Sequence, residues 1–149
     1  MAYELHELLD IIPENELKRV LSYKYCELDG EFMGFTDIYK HLSMIIPKHF
    51  TVIDLGCYCA AQCYYFKDHA RYIGVDTYEG ERFATENTEY YIQTIQEFIA
   101  ERLNTFDLFT TFAICSYVPD FDAKEKVRNA FDNVYVFYPA RIHSRTERR

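Results

Sequence analysis

Apolar and polar positions divide the chain into two parts with different periods. Through residue 49 the spacing is helical. Leu5, Leu8, Leu9 and Ile12 recur at three- and four-residue intervals and predict a first helix that ends at Pro13. Pro13 opens a second helix through Leu17, Val20, Leu21 and Tyr25, with Glu14 and Glu16 at its positive end. Asp29-Gly30 marks a turn, and Thr36 caps a third helix, DIYKHLSMII, which stops before Pro47.

Beyond Pro47 the pattern alternates between short apolar runs and amphipathic stretches. Strands are predicted at Thr51–Leu55, Tyr72–Asp76, Tyr90–Thr94, Asp107–Thr111 and Val134–Tyr138. Between them lie helical stretches at Ala60–His69, near Arg82–Thr85, at Gln96–Leu103 and at Ala123–Phe131. Nearly continuous apolar runs such as TVIDL and VYVFY fit strands buried on both faces. Strands alternating with helices predict an α/β fold, a doubly wound and mostly parallel five-stranded sheet. The chain reads as a single domain, with an N-terminal helical segment (1–49), an α/β core (50–140) and a basic tail (141–149).

Composition narrows the class. A hydrophobic content of 49% with 27% charged residues belongs to a globular protein with a real core. The net charge is −8, and the final RIHSRTERR contributes +3, which leaves −11 on residues 1–140. An acidic body argues against a nucleic-acid partner. No apolar run reaches the roughly 20 residues of a membrane span, and MAYELHELLD lacks the basic and apolar regions of a secretory leader. Five Cys without an export signal predict reduced thiols and a cytoplasmic location. Cys57, Cys59 and Cys63 match no common metal-ligand spacing; small apolar residues filling a strand-to-helix seam is the reading preferred over a metal site.

Chemistry collects at predicted strand ends, where open α/β sheets bind ligands. Gly56 follows Asp54 at the end of the first strand of the alternating region, in VIDLGCYCAAQ. A glycine there allows close backbone approach, and the helix behind it offers unpaired N–H groups. YIGVD ends in Asp76, a carboxylate placed to accept both hydroxyls of a ribose. Turn and acid together point to a nucleoside with a small anionic appendage.

VIDLGC, YIGVDTYE and FDLFTTFAICSYVPD, in this order and spacing, resemble successive motifs of the class I (Rossmann-like) S-adenosylmethionine-dependent methyltransferases. The resemblance spans residues 45–140. It implies strand order 3-2-1-4-5, a cofactor of S-adenosylmethionine or S-adenosylhomocysteine, and a small-molecule methyl acceptor. It also implies that Asp54, Gly56, Cys57 and Tyr58 lie along the methionine part of the cofactor and that Asp76 holds the ribose. Thr94, Ile95 and Gln96 would border the adenine, and Phe112 and Ala113, taken to follow the fourth strand, would wall the transfer site. A dinucleotide-binding dehydrogenase, the rival within this fold, would require G-x-G-x-x-G, of which only Gly56 is present.

Departures from the family pattern are specific. D-x-G-x-G-x-G becomes Asp54-Leu55-Gly56-Cys57-Tyr58-Cys59-Ala60. A Tyr58 side chain pointing into the pocket displaces the methionine carboxylate, and one pointing out leaves its N–H able to donate; the expectation is that Tyr58 obstructs, so that Tyr58→Gly improves affinity. The usual C-terminal antiparallel hairpin is missing after NVYVFYP, so Asn133–Tyr138 becomes an edge that a homodimer or protein partner would cover. No catalytic signature follows the fourth strand. Tyr117 and Asp120 are the candidates where a base is required, although Asp120 also reads as a helix cap. The alternative to an enzyme is a non-catalytic protein that keeps this fold for protein–protein interaction.

Overall fold

The computed structural model describes residues 25–28, 31–115 and 121–136. The predicted helix before Pro13, most of the second helix, and both Tyr117 and Asp120 lie outside them.

The first described element corrects the helical reading of the N-terminal segment. Tyr25–Leu28 (β1) and Glu31–Gly34 (β2) form an antiparallel pair, with Leu28 opposite Glu31. Two residues, Asp29 and Gly30, separate strands in that register, the dipeptide that tight hairpins favour. The second helix therefore does not run through Tyr25, which belongs to β1 and pairs with Gly34. Helix α1, Phe35–Ile45, follows directly.

The core is a five-stranded, all-parallel sheet of β3 (Thr51–Leu55), β4 (Arg71–Asp76), β5 (Thr88–Ile92), β6 (Thr111–Cys115) and β7 (Val134–Val136). Its spatial order is β5-β4-β3-β6-β7, which is 3-2-1-4-5 in the sheet's own numbering. β3 is central, and Ile53 pairs with Ile73 on one side and Ala113 on the other. Alternation along the strands builds two cores. Val52, Tyr72 and Ile114 pack with Ile38, Tyr39 and Leu42 of α1 and with Phe66. Ile53, Leu55, Ile73, Val75 and Ala113 pack on the opposite face with Phe98 of α2 (Ile95–Arg102) and Val127 of α3 (Phe121–Ala130).

Three further expectations shift. Ala60–His69 is not an α-helix but a short 3₁₀ segment, Ala61–Phe66, entered from a left-handed Ala60. Residues 81–85 carry no helix; Phe83 instead donates its N–H to the Cys59 carbonyl. Asp107–Thr111 is not the fourth sheet strand. The Asp107 side chain accepts the Phe109 N–H and caps a 3₁₀ turn at Leu108–Thr110, so the strand begins only at Thr111. Among the described residues β7 stands at a sheet edge, and residues 137–149 that follow it lie outside the described region.

The other edge, β5, is guarded by arginines. Arg71 grips Glu89 through two bonds of 2.8 Å. Arg82 lies over Tyr90 at 4.9 Å and Arg102 over Tyr91 at 4.2 Å, so both faces of the strand carry a cation. Among the described residues no helix is long and apolar enough to cross a membrane.

Candidate functional site

The turn after β3 holds the positive-φ residues of the described chain. Gly56, Tyr58 and Ala60 adopt φ of 86°, 53° and 58°, alternate left-handed residues at the three positions where the resembled family carries glycine. Only the first is glycine here. For a residue with a Cβ that conformation costs about 1–2 kcal/mol, so the turn must be held by contacts that exceed this cost.

Asp76 supplies two of them. At the end of β4 its carboxylate reaches across to the turn; one oxygen accepts the Tyr58 N–H and the other accepts the Tyr78 N–H, both at 2.8 Å. The two tyrosine rings then meet, with centroids 4.5 Å apart. The Val75 carbonyl accepts both the Gly56 N–H (2.8 Å) and the Cys57 N–H (3.2 Å), and Ala60 donates to the Cys57 carbonyl at 2.8 Å. Strand β4 thus dictates the path of the turn after β3.

Asp54 supports the turn from beneath. Its carboxylate is fully buried and accepts hydrogen bonds from the Tyr39 hydroxyl (2.7 Å), the Gln62 amide (2.7 Å) and the Tyr72 hydroxyl. Gln62 also donates to the Cys57 carbonyl at 3.1 Å, joining the carboxylate to the turn. Burial outweighs the three hydrogen bonds and pushes the Asp54 pKa up to about 6. The same burial holds Cys57 far above the ordinary thiol range and pushes Cys63 up to about 12, so both thiols stay protonated. Cys57, Cys59 and Cys63 are buried in the core beside α1, the seam role expected of them.

Above this turn, at the C-terminal ends of β3, β4 and β5, lies a cavity of about 210 Å³. Gly56, Asp76, Thr94 and Ile95 line it together, as the sequence placed them, along with Gln96. Its floor and far wall come from Val75, Ile99 and Val127. Thr94 lies past the strand, as N-cap of α2. Its hydroxyl accepts the Glu97 N–H at 3.0 Å while the Glu97 carboxylate accepts the Thr94 N–H at 2.8 Å, a reciprocal capping box.

Other predicted site residues lie elsewhere. Asp54 is sealed beneath the turn, and Cys57 points into the core, its sulfur 2.8 Å from where a Cβ on Gly74 would stand. Tyr58 rests against Tyr78 and does not line the cavity. Phe112 and Ala113 do not follow the fourth strand but lie within it. Phe112 is the second residue of β6, level with Val52, and faces the α1 side of the sheet. The strand begins four residues later than the sequence suggests, which carries Phe112 from the ligand-facing end toward the opposite one.

The sequence reading missed the cavity's contributors Ile99 of α2 and Ala123, Lys126 and Val127 of α3. Ile99 carried a signal, lying one turn beyond Ile95 on a helix whose start was foreseen. Tyr39, Gln62 and Tyr72, the partners of Asp54, carried none, since their convergence requires the packed sheet. No protein-family model matches the chain, and no curated protein matches it.

Proposed function

We propose that this chain is an S-adenosylmethionine-binding, methyltransferase-like protein with a doubly wound, Rossmann-like core, acting on a small molecule. One observation carries the reading. Gly56, Tyr58 and Ala60 repeat the left-handed alternation that G-x-G-x-G glycines exist to permit, and the turn they form borders a cavity lined by Gly56, Asp76, Thr94 and Ile95. Keeping that backbone without the glycines costs stability, which favours a retained use for the turn.

Bound there, S-adenosylmethionine supplies an activated methyl group. The chain's part is to bind and orient. Each Asp76 oxygen accepts one backbone N–H and retains a second lone pair for a ribose hydroxyl. Thr94, Ile95 and Ile99 offer a partly apolar slot for a purine, with Val127 opposite. Titration calorimetry with S-adenosylmethionine and S-adenosylhomocysteine tests the reading, with saturable binding of either expected. A folded protein that binds neither would remove it.

A second reading has its own support. With both Asp76 oxygens holding backbone, the carboxylate has a structural task that needs no ligand. A non-catalytic protein that uses this fold for protein–protein interaction would keep Asp76 for that reason alone. Absence of nucleoside binding by the folded chain would favour it.

A further inference from the structure

Two carboxylates bracket the turn after β3. Asp76 holds it from the end of β4, and Asp54 lies beneath it, next but one to Gly56. The Asp54 carboxylate is fully buried, and the groups that donate to it, the Tyr39 and Tyr72 hydroxyls and the Gln62 amide, are neutral. Gln62 carries the link upward, donating to Asp54 at 2.7 Å and to the Cys57 carbonyl at 3.1 Å. An ionised carboxylate in such an interior acts over a longer reach than a solvated one. The turn registers that field. Burial first, and then the charges of Asp54 and Asp76, hold the Cys57 thiol far above its ordinary range. Arg82, which donates to the Tyr78 carbonyl at 2.6 Å and lies over Tyr90, opposes them.

The titratable groups that face Asp54 are Tyr39 from α1, Cys63 from the 3₁₀ segment, Tyr72 and Asp76 from β4, and Cys57 from the turn. Burial raises Tyr72, Cys57 and Cys63 and keeps all three neutral where Asp54 ionises, at about 6. Strand order fixes which part of a ligand meets this field. The cavity runs along the strand ends in the order β5, β4, β3, with Thr94 and Ile95 after β5, Asp76 ending β4 and Gly56 after β3. With a purine against Thr94, Ile95 and Ile99 and a ribose at Asp76, the 5′ substituent is directed to the Gly56 end, at the turn that Asp54 supports.

We infer that Asp54, through its charge beneath the turn, makes this site selective for a cationic ligand and favours S-adenosylmethionine, a sulfonium, over S-adenosylhomocysteine, a neutral thioether. The inference rests on the reading that the cofactor occupies the cavity, and it adds the residue that tells cofactor from product. Asp54 touches neither ligand; it sets the selectivity from below. The two molecules share the nucleoside and the amino-acid tail and differ by one methyl group and one charge. The fit of the methyl group does not change with pH, whereas the charge of Asp54 does. The ratio of the two affinities therefore follows the ionisation of Asp54. A cation stabilises the ionised carboxylate, so the preference for S-adenosylmethionine is weak while Asp54 is protonated and grows as the pH rises through about 6.

Calorimetric titration of the full chain with each ligand at intervals from about pH 5 to about pH 7 tests this. The affinity ratio, S-adenosylmethionine over S-adenosylhomocysteine, should rise at least about threefold across that range in the parent and stay within about twofold in Asp54→Asn. A flat ratio in the parent would overturn the inference while leaving cofactor binding intact. An equal rise in a folded Asp54→Asn would overturn it too, by placing the titrating group elsewhere. Carbon-13 NMR of the Asp54 carboxyl gives a reading that needs no variant. With S-adenosylmethionine bound it should titrate at lower pH than with S-adenosylhomocysteine bound, and identical titrations would refute the coupling. Binding of neither ligand by the folded chain would remove the nucleoside reading itself, and this inference with it.

Discussion

The Asp76 carboxylate holds the Tyr58 backbone N–H at 2.8 Å, joining the end of one central strand to a left-handed residue in the turn after its neighbour. Tyr58 has a Cβ and pays for that conformation, so the bond to Asp76 is part of what keeps the turn in place.

Removing the carboxylate should therefore loosen the turn before any ligand is considered. Asp76→Asn keeps one acceptor and leaves the second N–H facing an amide. Asp76→Ala loses both bonds. Hydrogen bonds to a charged group contribute about 1.5–3 kcal/mol each when buried, less at a partly exposed site such as this. The expected losses are about 1 kcal/mol for Asn and about 2–3 kcal/mol for Ala, read from urea unfolding. Hydrogen exchange at the Tyr58 and Tyr78 amides should accelerate in both variants. Parent-like stability and amide protection in Asp76→Ala would contradict the clamp. Under the nucleoside reading, Asp76→Ala should also weaken binding more than Asp120→Ala does.

Tyr58 itself should matter less for binding than its place in the motif suggests. Its ring packs on Tyr78 and lies outside the cavity lining, so the expectation that Tyr58→Gly improves affinity gives way to one of little change, within about threefold. The stability effect is also small, because three terms oppose one another. Relief of the left-handed strain returns about 1–2 kcal/mol. Loss of the aromatic pair removes about 0.5–1.5 kcal/mol, and glycine's unfolded-state freedom costs up to about 1 kcal/mol. A net change within about 1 kcal/mol in thermal or urea unfolding is expected. A tenfold change in nucleoside affinity without unfolding would mean that the ring contacts the ligand.

Gly74 tests how closely the turn is packed on the sheet. A Cβ at this position of β4 would stand 2.8 Å from the Cys57 sulfur and 2.9 Å from a ring carbon of Tyr90. Tyr90 is confined in turn by Arg82 lying over its ring. Gly74→Ala should cost about 1–3 kcal/mol through overpacking. Adding Cys57→Ala should recover part of that loss, while the Tyr90 contact keeps the double variant below the parent. Gly74→Ala at full parental stability would show that both neighbours have room to move.

These contacts also mark where sequence reasoning reached its limit. β3 and its exit were legible because Val52, Ile53 and Leu55 make TVIDL a nearly continuous apolar run and Asp54-Leu55-Gly56 closes it, both local signals. Strand order followed from the same alternation once the family resemblance was admitted. The hairpin at 25–34 was missed because Leu17, Val20 and Leu21 carried a helical period toward Tyr25, and register across a two-residue turn is not a periodic signal. The β6 boundary was misplaced because FDLFTTFAIC is apolar or Thr at nearly every position. Only the side chain of Asp107, bonded to the Phe109 N–H, shows where the strand is not. In the cavity, strand-end residues were visible and helix-borne ones were not, since the latter depend on how α2 and α3 lie across the sheet.

The buried carboxylate of Asp54 makes the final prediction one of pH. Its described neighbours are the Tyr39 and Tyr72 hydroxyls, the Gln62 amide and, farther off, the negative charge of Asp76. Burial raises its pKa in the folded chain from 3.8 to about 6. The folded state thus binds this proton more tightly than the unfolded state does. The associated stabilisation is complete below about pH 3.8 and is lost as the pH rises through about 6. A separation of about two pKa units corresponds to roughly 3 kcal/mol over the whole range. Asp54→Asn removes the titration while keeping the network's geometry. The amide oxygen can accept from Gln62 and Tyr72, and the amide nitrogen can donate to the Tyr39 hydroxyl. Urea unfolding of parent and variant at intervals from pH 4 to pH 7 isolates the effect, because every other titrating group is common to both chains. The variant's stability relative to the parent should rise by about 2 kcal/mol across that interval. Parallel curves would mean that Asp54 ionises in the folded chain as readily as in the unfolded one, and that its three hydrogen bonds fully offset its burial.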